Sequence, residues 1–347
     1  MKKLVKFLLP FLVCSSAFLT SCKSDTRVYI EYGDPYVTET TVLSLNELDS
    51  KLKNKETFLF VVNSNTCGCW TDFEAIINSF INENKVPCYR IDYNTIKDVY
   101  TAFNIPYISS STTTFVIYEN GEIKQCINSD EQSNIMRDKK TFAKYIKENG
   151  ILPGCYLITK EQYHSVKESG KNAVVYFLRS ECGDCKAINP GILKKYVANH
   201  QGANKIYCVD CQPYWRASSA DDYQSYLDVK DELGLSTKNN PTFGYGKGVF
   251  PYFSYIENCT YASGAVIYND TITKEGNKYT ITESYYSKQR VSDLSYTKTV
   301  LEGKRLKESQ LNIGYGISWK HENADKYYGK ILNSFLDYAL PKVTYNF

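Results

Sequence analysis

The feature that most constrains this chain is a pair of cysteines, Cys182 and Cys185, placed between an apolar run and a helical pattern. The run over residues 173–178 is continuous, apolar and rich in β-branched and aromatic residues, so it predicts a buried strand. After the cysteines, apolar residues recur with the spacing of one helix face: Ala187, Ile188, Ile192, Leu193, Tyr196 and Val197. We therefore predict that a strand turns directly into a helix at the cysteine pair.

A thiol at the start of a helix lies where the backbone N–H groups and the helix dipole favour an anion. This position favours the thiolate of Cys182, which is the nucleophilic form of the side chain. Cys185 can then resolve a mixed disulfide formed on Cys182. The alternative interpretation of the pair is a static structural disulfide.

Two prolines follow the cysteine pair, and their positions are part of a resemblance to a known family. Pro190 lies within the predicted helix, and Pro251 precedes an apolar run and a turn over residues 252–258. Together with the strand and the cysteine pair, they resemble the thioredoxin superfamily, whose helix-kinking proline and cis-proline occupy these places. The resemblance implies thiol–disulfide exchange at Cys182 and Cys185, with Pro251 positioning the substrate backbone.

The same resemblance implies the kinds of partner. Protein or peptide thiols and disulfides are the expected substrates, an electron donor that the sequence does not name is required for reduction, and no metal or organic cofactor is implied.

The chain contains an earlier copy of the same plan. An apolar run over residues 58–62 leads to Cys67 and Cys69, and an amphipathic pattern follows. Each copy then has a strand that ends near an acid, Asp92 in the first and Asp210 in the second.

We predict an α/β protein with two tandem thioredoxin-like domains, each a central mixed sheet flanked by helices. Their expected bounds are residues 37–150 and 151–347, joined at a turn-rich stretch over residues 149–154. The second domain is expected to carry an inserted loop over residues 213–248 and a C-terminal hairpin and helix.

The first copy departs from the family pattern where chemistry would occur. If Cys67 aligns with Cys182, the replacements are Trp70 for the resolving thiol, Ala75 for the kink proline and Thr113 for the cis-proline. A bond between Cys67 and Cys69 would close a very small, strained ring that is easily reduced. This copy is either a specialised exchange site or a degenerate structural module, and we favour the module.

The second copy has its own departures. Tyr176 stands where many thioredoxins have a buried carboxylate, and Glu181 and Asp184 are acids beside Cys182. Carboxylates oppose a neighbouring thiolate. We therefore expect a reductase or an isomerase-like centre rather than a strong oxidant.

The remaining cysteines leave several alternatives open. Cys208 and Cys211 form a second closely spaced pair, and two such pairs can bind zinc. Because a whole helix separates the pairs, we favour Cys211 as an auxiliary thiol. The sequence does not fix the partners of four others: Cys88, Cys126, Cys155 and Cys259.

The first residues predict export. Lysines precede an apolar stretch over residues 7–20 that is too short to span a membrane comfortably. It ends Leu19-Thr20-Ser21-Cys22, which resembles a bacterial lipobox. The resemblance implies removal of residues 1–21, acylation of Cys22 and anchoring on the outer face of the cell membrane. Residues 22–36 would then be a tether, although residues 28–32 could form a strand. The alternative is an ordinary signal peptide.

The charge balance narrows the classes of function that the chain could have. The chain has 41 Lys and Arg against 38 Asp and Glu, and removal of Lys2, Lys3 and Lys6 leaves 38 against 38. This balance gives no electrostatic case for nucleic-acid binding. The alternative to an exchange enzyme is a non-enzymatic lipoprotein whose thioredoxin folds are a disulfide-stabilised protein-binding scaffold.

Overall fold

The computed structural model describes a set of ranges that covers most of the chain. These are residues 25–200, 205–214, 220–235, 250–258, 260–275, 278–287, 296–302, 311–312, 316–317 and 324–346. The predictions for residues 1–21, for Cys22 and for Cys259 lie outside these ranges, as does part of the predicted inserted loop over residues 213–248. No helix in the described part combines the length and apolarity needed to cross a membrane.

The strands are listed here in chain order. They are β1 (Val28–Tyr29), β2 (Tyr32–Gly33), β3 (Thr41–Val42), β4 (Phe58–Asn63), β5 (Cys88–Asp92), β6 (Thr114–Glu119), β7 (Glu122–Asn128), β8 (Gly150–Ile151), β9 (Cys155–Leu157), β10 (Ala173–Leu178), β11 (Ile206–Asp210), β12 (Tyr252–Glu257), β13 (Thr260–Glu275), β14 (Lys278–Ser287), β15 (Tyr296–Glu302), β16 (Leu311–Asn312) and β17 (Gly316–Ile317).

The α-helices of the described ranges connect and cover these strands. They are α1 (Leu45–Lys53), α2 (Gly68–Asn84), α3 (Tyr93–Ile96), α4 (Ser133–Met136), α5 (Lys139–Asn149), α6 (Lys160–Glu168), α7 (Gly183–Ile188), α8 (Lys194–Asn199), α9 (Ala220–Glu232) and α10 (Ala324–Ala339).

The first sheet has the strand order β3-β5-β4-β6-β7. Strands β3, β4 and β5 run parallel, whereas β6 is antiparallel to both β4 and β7. Side chains of β4 alternate between two apolar clusters, so both faces of the sheet are covered. Helices α2 and α5 pack on one face through a group of aromatic rings: Phe73, Phe80, Phe115 and Phe142.

The second sheet has the order β15-β14-β13-β12-β10-β11-β9-β2. Its central strand β10 is completely buried and pairs parallel with β11 and antiparallel with β12. The five strands from β9 to β13 therefore repeat the order and directions of the five strands of the first sheet. The prediction of a mixed α/β fold is confirmed.

The helix after Cys182 is interrupted at Pro190. Proline has no N–H to donate to the preceding turn. A π-helical turn, Asn189–Leu193, separates α7 from α8, and the N–H of Lys194 donates to the carbonyl of Asn189. In the first copy, Ala75 occupies this place and α2 continues without a break.

Within the segment predicted as a tether, the alternative of a strand near residues 28–32 agrees with the structure. Strand β1 pairs with β8, and β2 pairs with β9 at the edge of the second sheet. Val28, Tyr29 and Ile30 are buried. Removing their apolar side chains from water stabilises the folded state, whereas a solvated linker would leave them exposed. The expected turn-rich join is likewise buried and strand-paired at Gly150–Ile151.

Candidate functional site

Cys182 and Cys185 lie where the sequence predicted, at the junction of β10 and α7. Cys182 is the N-cap of α7 with an extended backbone, and it is partly exposed. Cys185 lies in the first turn of the helix and is 1% exposed. Solvent therefore reaches the first thiol and not the second.

The loop before Cys182 is held by polar groups from the neighbouring strand. The carboxylate of Asp210 accepts hydrogen bonds from the backbone N–H groups of Ser180 (3.1 Å) and Gln212 (2.9 Å). The Gln212 side chain accepts from Arg179 and donates to Glu181. These contacts fix the turn on which Cys182 is presented, and Glu181 is engaged by Gln212.

Pro251 faces Cys182 from the other side of the site. The Phe250–Pro251 peptide bond is cis, as the resemblance implies. The Sγ of Cys182 lies 4.0 Å from the carbonyl oxygen of Phe250. The cysteine pair and the proline thus come together from residues far apart in the chain.

The environment of Cys185 keeps its proton in place. The pKa of Cys185 is raised well above its ordinary value because its thiol is hydrogen-bonded to Cys182 and because it is buried. A backbone hydrogen bond from Arg179 and a hydrogen bond with the Tyr176 side chain act in the opposite direction.

A polar network that begins at the Tyr176 hydroxyl is not predicted from the sequence. The Tyr176 hydroxyl donates to Oδ1 of Asn189 at 3.2 Å, and Nδ2 of Asn189 donates to Glu31 and to the hydroxyl of Tyr32. Asn189 is a buried amide inside a helical segment, a pattern that signals a specific partner. No sequence signal identifies Glu31, which lies in the segment expected to be a tether.

The corresponding site of the first copy is closed. Cys67 is the N-cap of α2, as Cys182 is of α7, and it forms a disulfide with Cys69. The Sγ of Cys67 lies 2.9 Å from the carbonyl oxygen of Ser111, and the Sγ of Cys69 lies 3.4 Å from the Thr113 hydroxyl. Trp70 takes the buried place that Cys185 has in the second copy.

The backbone facing that disulfide is already hydrogen-bonded within the protein. The N–H of Thr112 donates to the carbonyl of Ser109, and the N–H of Thr113 donates to the Ser129 hydroxyl. Thr113 stands at the register position of Pro251, because Thr114 pairs with Val62 as Tyr252 pairs with Phe177. An extended substrate would have to displace these internal bonds.

Cys208 and Cys211 lie in the expected places but deep in the protein. Cys208 is inside β11, and Cys211 follows the strand with its N–H donating to the carbonyl of Leu178. Burial raises the pKa of Cys211 to about 12. Within the described ranges, no group of three or more His, Cys, Asp and Glu side chains is arranged to hold a metal ion.

Comparison with solved structures finds thioredoxin-fold proteins. Human ERp44 in a zinc-bound form is 15% identical over 50% of this chain and 45% of its own, with a TM-score of 0.26. A mutant thioredoxin from Halobacterium salinarum NRC-1 is 15% identical over 33% of this chain and 93% of its own, with a TM-score of 0.27. Thioredoxin NaTrxh from Nicotiana alata is 17% identical over 32% and 93%, with a TM-score of 0.25.

These similarities are partial. This chain spans less than half the length of ERp44. Neither a protein-family profile nor a curated protein sequence matches the chain.

Proposed function

We propose that this protein is a thiol–disulfide oxidoreductase that acts on protein disulfides through Cys182 and Cys185, with reductase or isomerase-like direction. Cys182 attacks the substrate disulfide, Cys185 resolves the mixed disulfide, and Pro251 positions the substrate backbone. The electron donor is a separate partner.

One observation carries this proposal: the asymmetry of the two thiols. Cys182 is partly exposed at a helix start, whereas Cys185, in the first turn of the same helix, is 1% exposed. A nucleophile must reach solvent, and a resolving thiol must reach only the nucleophile. A structural disulfide needs no such difference in exposure.

The exchange activity is tested with insulin, whose reduction by dithiothreitol is followed by precipitation of the freed chain. We expect the full-length protein to accelerate this reaction and Cys182→Ser to abolish the acceleration. The matched control removes the other cysteine pair, Cys67→Ser with Cys69→Ser, and retains the acceleration. Equal activity of Cys182→Ser and the unmodified protein would contradict the assignment of the nucleophile.

We also propose that the chain consists of two tandem thioredoxin-like domains, the first a structural module. The repeated strand order supports the tandem arrangement. The closed disulfide and the internally bonded Thr112 and Thr113 support the structural role of the first copy. An experimental structure with a different strand order in either sheet would contradict the tandem arrangement.

Membrane anchoring through Cys22, on the outer face of a bacterial cell membrane, is the third part of the proposal. It rests on the lipobox-like sequence that ends at Cys22. After expression in bacteria, we expect Cys22→Ser to move the protein from the membrane fraction to the soluble fraction. Cys14→Ser is the matched control and should leave the protein in the membrane fraction. Membrane association of Cys22→Ser would contradict the anchor.

A further inference from the structure

Glu181 places a carboxylate immediately beside the more exposed thiol. It directly precedes Cys182, the N-cap of α7, and it is exposed. No ion pair among the described residues includes Glu181. Its negative charge can therefore interact with a group that arrives from solvent.

A neighbouring amide holds this carboxylate in place. Nε2 of Gln212 donates to Oε2 of Glu181 at 3.2 Å, and Oε1 of Gln212 accepts from Nε of Arg179 at 3.1 Å. The backbone of Gln212 is fixed as well, because its N–H donates to the carboxylate of Asp210 at 2.9 Å. An amide that donates to an acid and accepts from a cation has one orientation. The Glu181 carboxylate therefore has a defined position next to Cys182.

The charged side chains of the strand–helix junction sum to one negative charge. They are two cations and three acids: Arg179, Lys186, Glu181, Asp184 and Asp210. On the opposite side of the site, the carbonyl oxygen of Phe250 lies 4.0 Å from the Cys182 sulfur and presents the negative end of its dipole. A substrate that approaches Cys182 between these groups meets negative charge on both sides.

This arrangement distinguishes substrates by their charge. A cation next to a substrate disulfide is attracted to the Glu181 carboxylate, and an anion is repelled. A local field of one sign also raises the encounter rate of ligands with the opposite sign. The same carboxylate disfavours the Cys182 thiolate, but it does so for every substrate alike. Charge selection is therefore visible in the comparison of substrates, not in a single rate.

We propose that Glu181 selects substrates whose disulfide is flanked by lysine or arginine, and that Gln212 is the positioning residue for its carboxylate. This inference rests on the exchange function proposed above and names its substrate class. The basic side chain of the substrate lies against Glu181 while the substrate sulfur reaches Cys182. Disulfides flanked by acidic residues react more slowly.

The selection acts on the first bond change of a balanced reaction. The Cys182 thiolate attacks one sulfur of the substrate disulfide, a Cys182–substrate disulfide forms, and the other substrate sulfur leaves as a thiolate. Cys185 then loses its proton to solvent and attacks the Cys182 sulfur, so the Cys182–Cys185 bond forms and the second substrate thiolate leaves. The protein dithiol loses two electrons and the substrate disulfide gains them. No further reagent is needed.

The test compares two small disulfides of opposite charge, with the full-length protein in its dithiol form at neutral pH. Cystamine carries an ammonium group on each half, and dithiodipropionate carries a carboxylate on each half. Loss of the free Cys182 thiol is followed by timed alkylation and peptide mass mapping. The measured quantity is the ratio of the two rate constants, cystamine over dithiodipropionate. Comparing this ratio between variants cancels the thiolate fraction of Cys182 and the intrinsic reactivity of each reagent.

Two variants separate the charge of Glu181 from its position. At low ionic strength, Glu181→Gln should lower the ratio by about threefold or more, because the attraction and the repulsion are both lost. Gln212→Ala keeps the carboxylate and removes its donor, so its ratio should fall between those of the unmodified protein and Glu181→Gln. In about 1 M salt, where the Debye length is about 3 Å, the three ratios should approach one another.

Glu168→Gln is the matched control for the loss of one exposed carboxylate. Glu168 ends α6 just before the amino end of β10, whereas Glu181 follows the carboxyl end of that strand. This control should keep the ratio of the unmodified protein.

The outcomes separate the inference from the proposed function. Equal ratios for Glu181→Gln and the unmodified protein at low ionic strength overturn the selection by charge. An unchanged ratio in Gln212→Ala overturns the positioning role of Gln212. If Cys182→Ser releases cysteamine from cystamine as fast as the unmodified protein does, the proposed function fails instead, so the two failures are distinguishable.

Discussion

At the scale of single residues, the two thiols of the site differ in their access to solvent. Cys182 reaches solvent and Cys185 does not, although two residues separate them in the chain. The sequence predicts both thiols and the proline opposite them, because a strand, a helix start and a second strand bring them together. Asn189 and Glu31 could not be paired from the sequence, because they are 158 residues apart and neither belongs to a periodic pattern.

Gly33 shows how closely the N-terminal segment is packed. A Cβ atom at this position would lie 2.5 Å from Tyr156 and 2.6 Å from the carbonyl oxygen of Lys85. We expect Gly33→Ala to lower the free energy of unfolding by about 1–3 kcal/mol, the usual cost of overpacking. Denaturant unfolding measures this change. Gly68→Ala is the control, since a Cβ there meets nothing within 4 Å, and similar losses in both variants would contradict the packing argument.

At the scale of elements, long periodic segments are predicted more sharply than short ones. The strand at β10, the helical run after it and the strand at β11 follow from apolar patterns of five residues or more. Strands β1 and β2 have two residues each, so the sequence leaves residues 28–32 open between a tether and a strand. Only tertiary pairing with β8 and β9 defines them.

Helix α6 begins with a reciprocal cap that its sequence specifies. The Thr159 hydroxyl accepts from the N–H of Gln162, and the Gln162 side chain accepts from the N–H of Thr159. We expect Thr159→Ala to lower the free energy of unfolding by about 1 kcal/mol, because the backbone N–H of Gln162 loses its acceptor. Ser165→Ala in the same helix is the control, and it should be neutral within about 0.5 kcal/mol. Denaturant titration compares the two, and an equal effect would contradict the cap.

At the scale of the whole molecule, the N-terminal segment connects parts of the chain that the sequence suggests are separate. Strand β1 pairs with β8, which follows α5 of the first copy. Strand β2 pairs with β9 and so extends the second sheet. Glu31 lies between them and reaches the second site. The first copy's repeated pattern has no counterpart of this segment, so the repeat does not indicate the contact between Glu31 and Asn189.

Buried thiols and tyrosines give the molecule a predictable response to alkali. Burial raises the pKa of Cys126 to about 11 and of Cys211 to about 12, from ordinary values of 9.0. Burial likewise raises the pKa of Tyr145 and Tyr156 to about 12, from 10.0. Above pH 9 the unfolded chain loses these protons before the folded protein does. Deprotonation therefore stabilises the unfolded state relative to the folded state.

The free energy of unfolding should therefore have its full value below pH 9 and should fall progressively between pH 9 and pH 11. Urea titrations at a series of pH values measure it, with far-ultraviolet circular dichroism as the probe. A free energy that stays constant or rises over this interval would contradict the burial of these groups.

The most direct test of the central claim is the reduction potential of the Cys182 and Cys185 pair, with peptide mass mapping in thiol buffers. We expect a pair that titrates reversibly above about −300 mV and below the value near −120 mV of a strong oxidant, with Cys182 as the alkylated sulfur. A pair that stays oxidised below about −300 mV would be a structural disulfide and would contradict the exchange function.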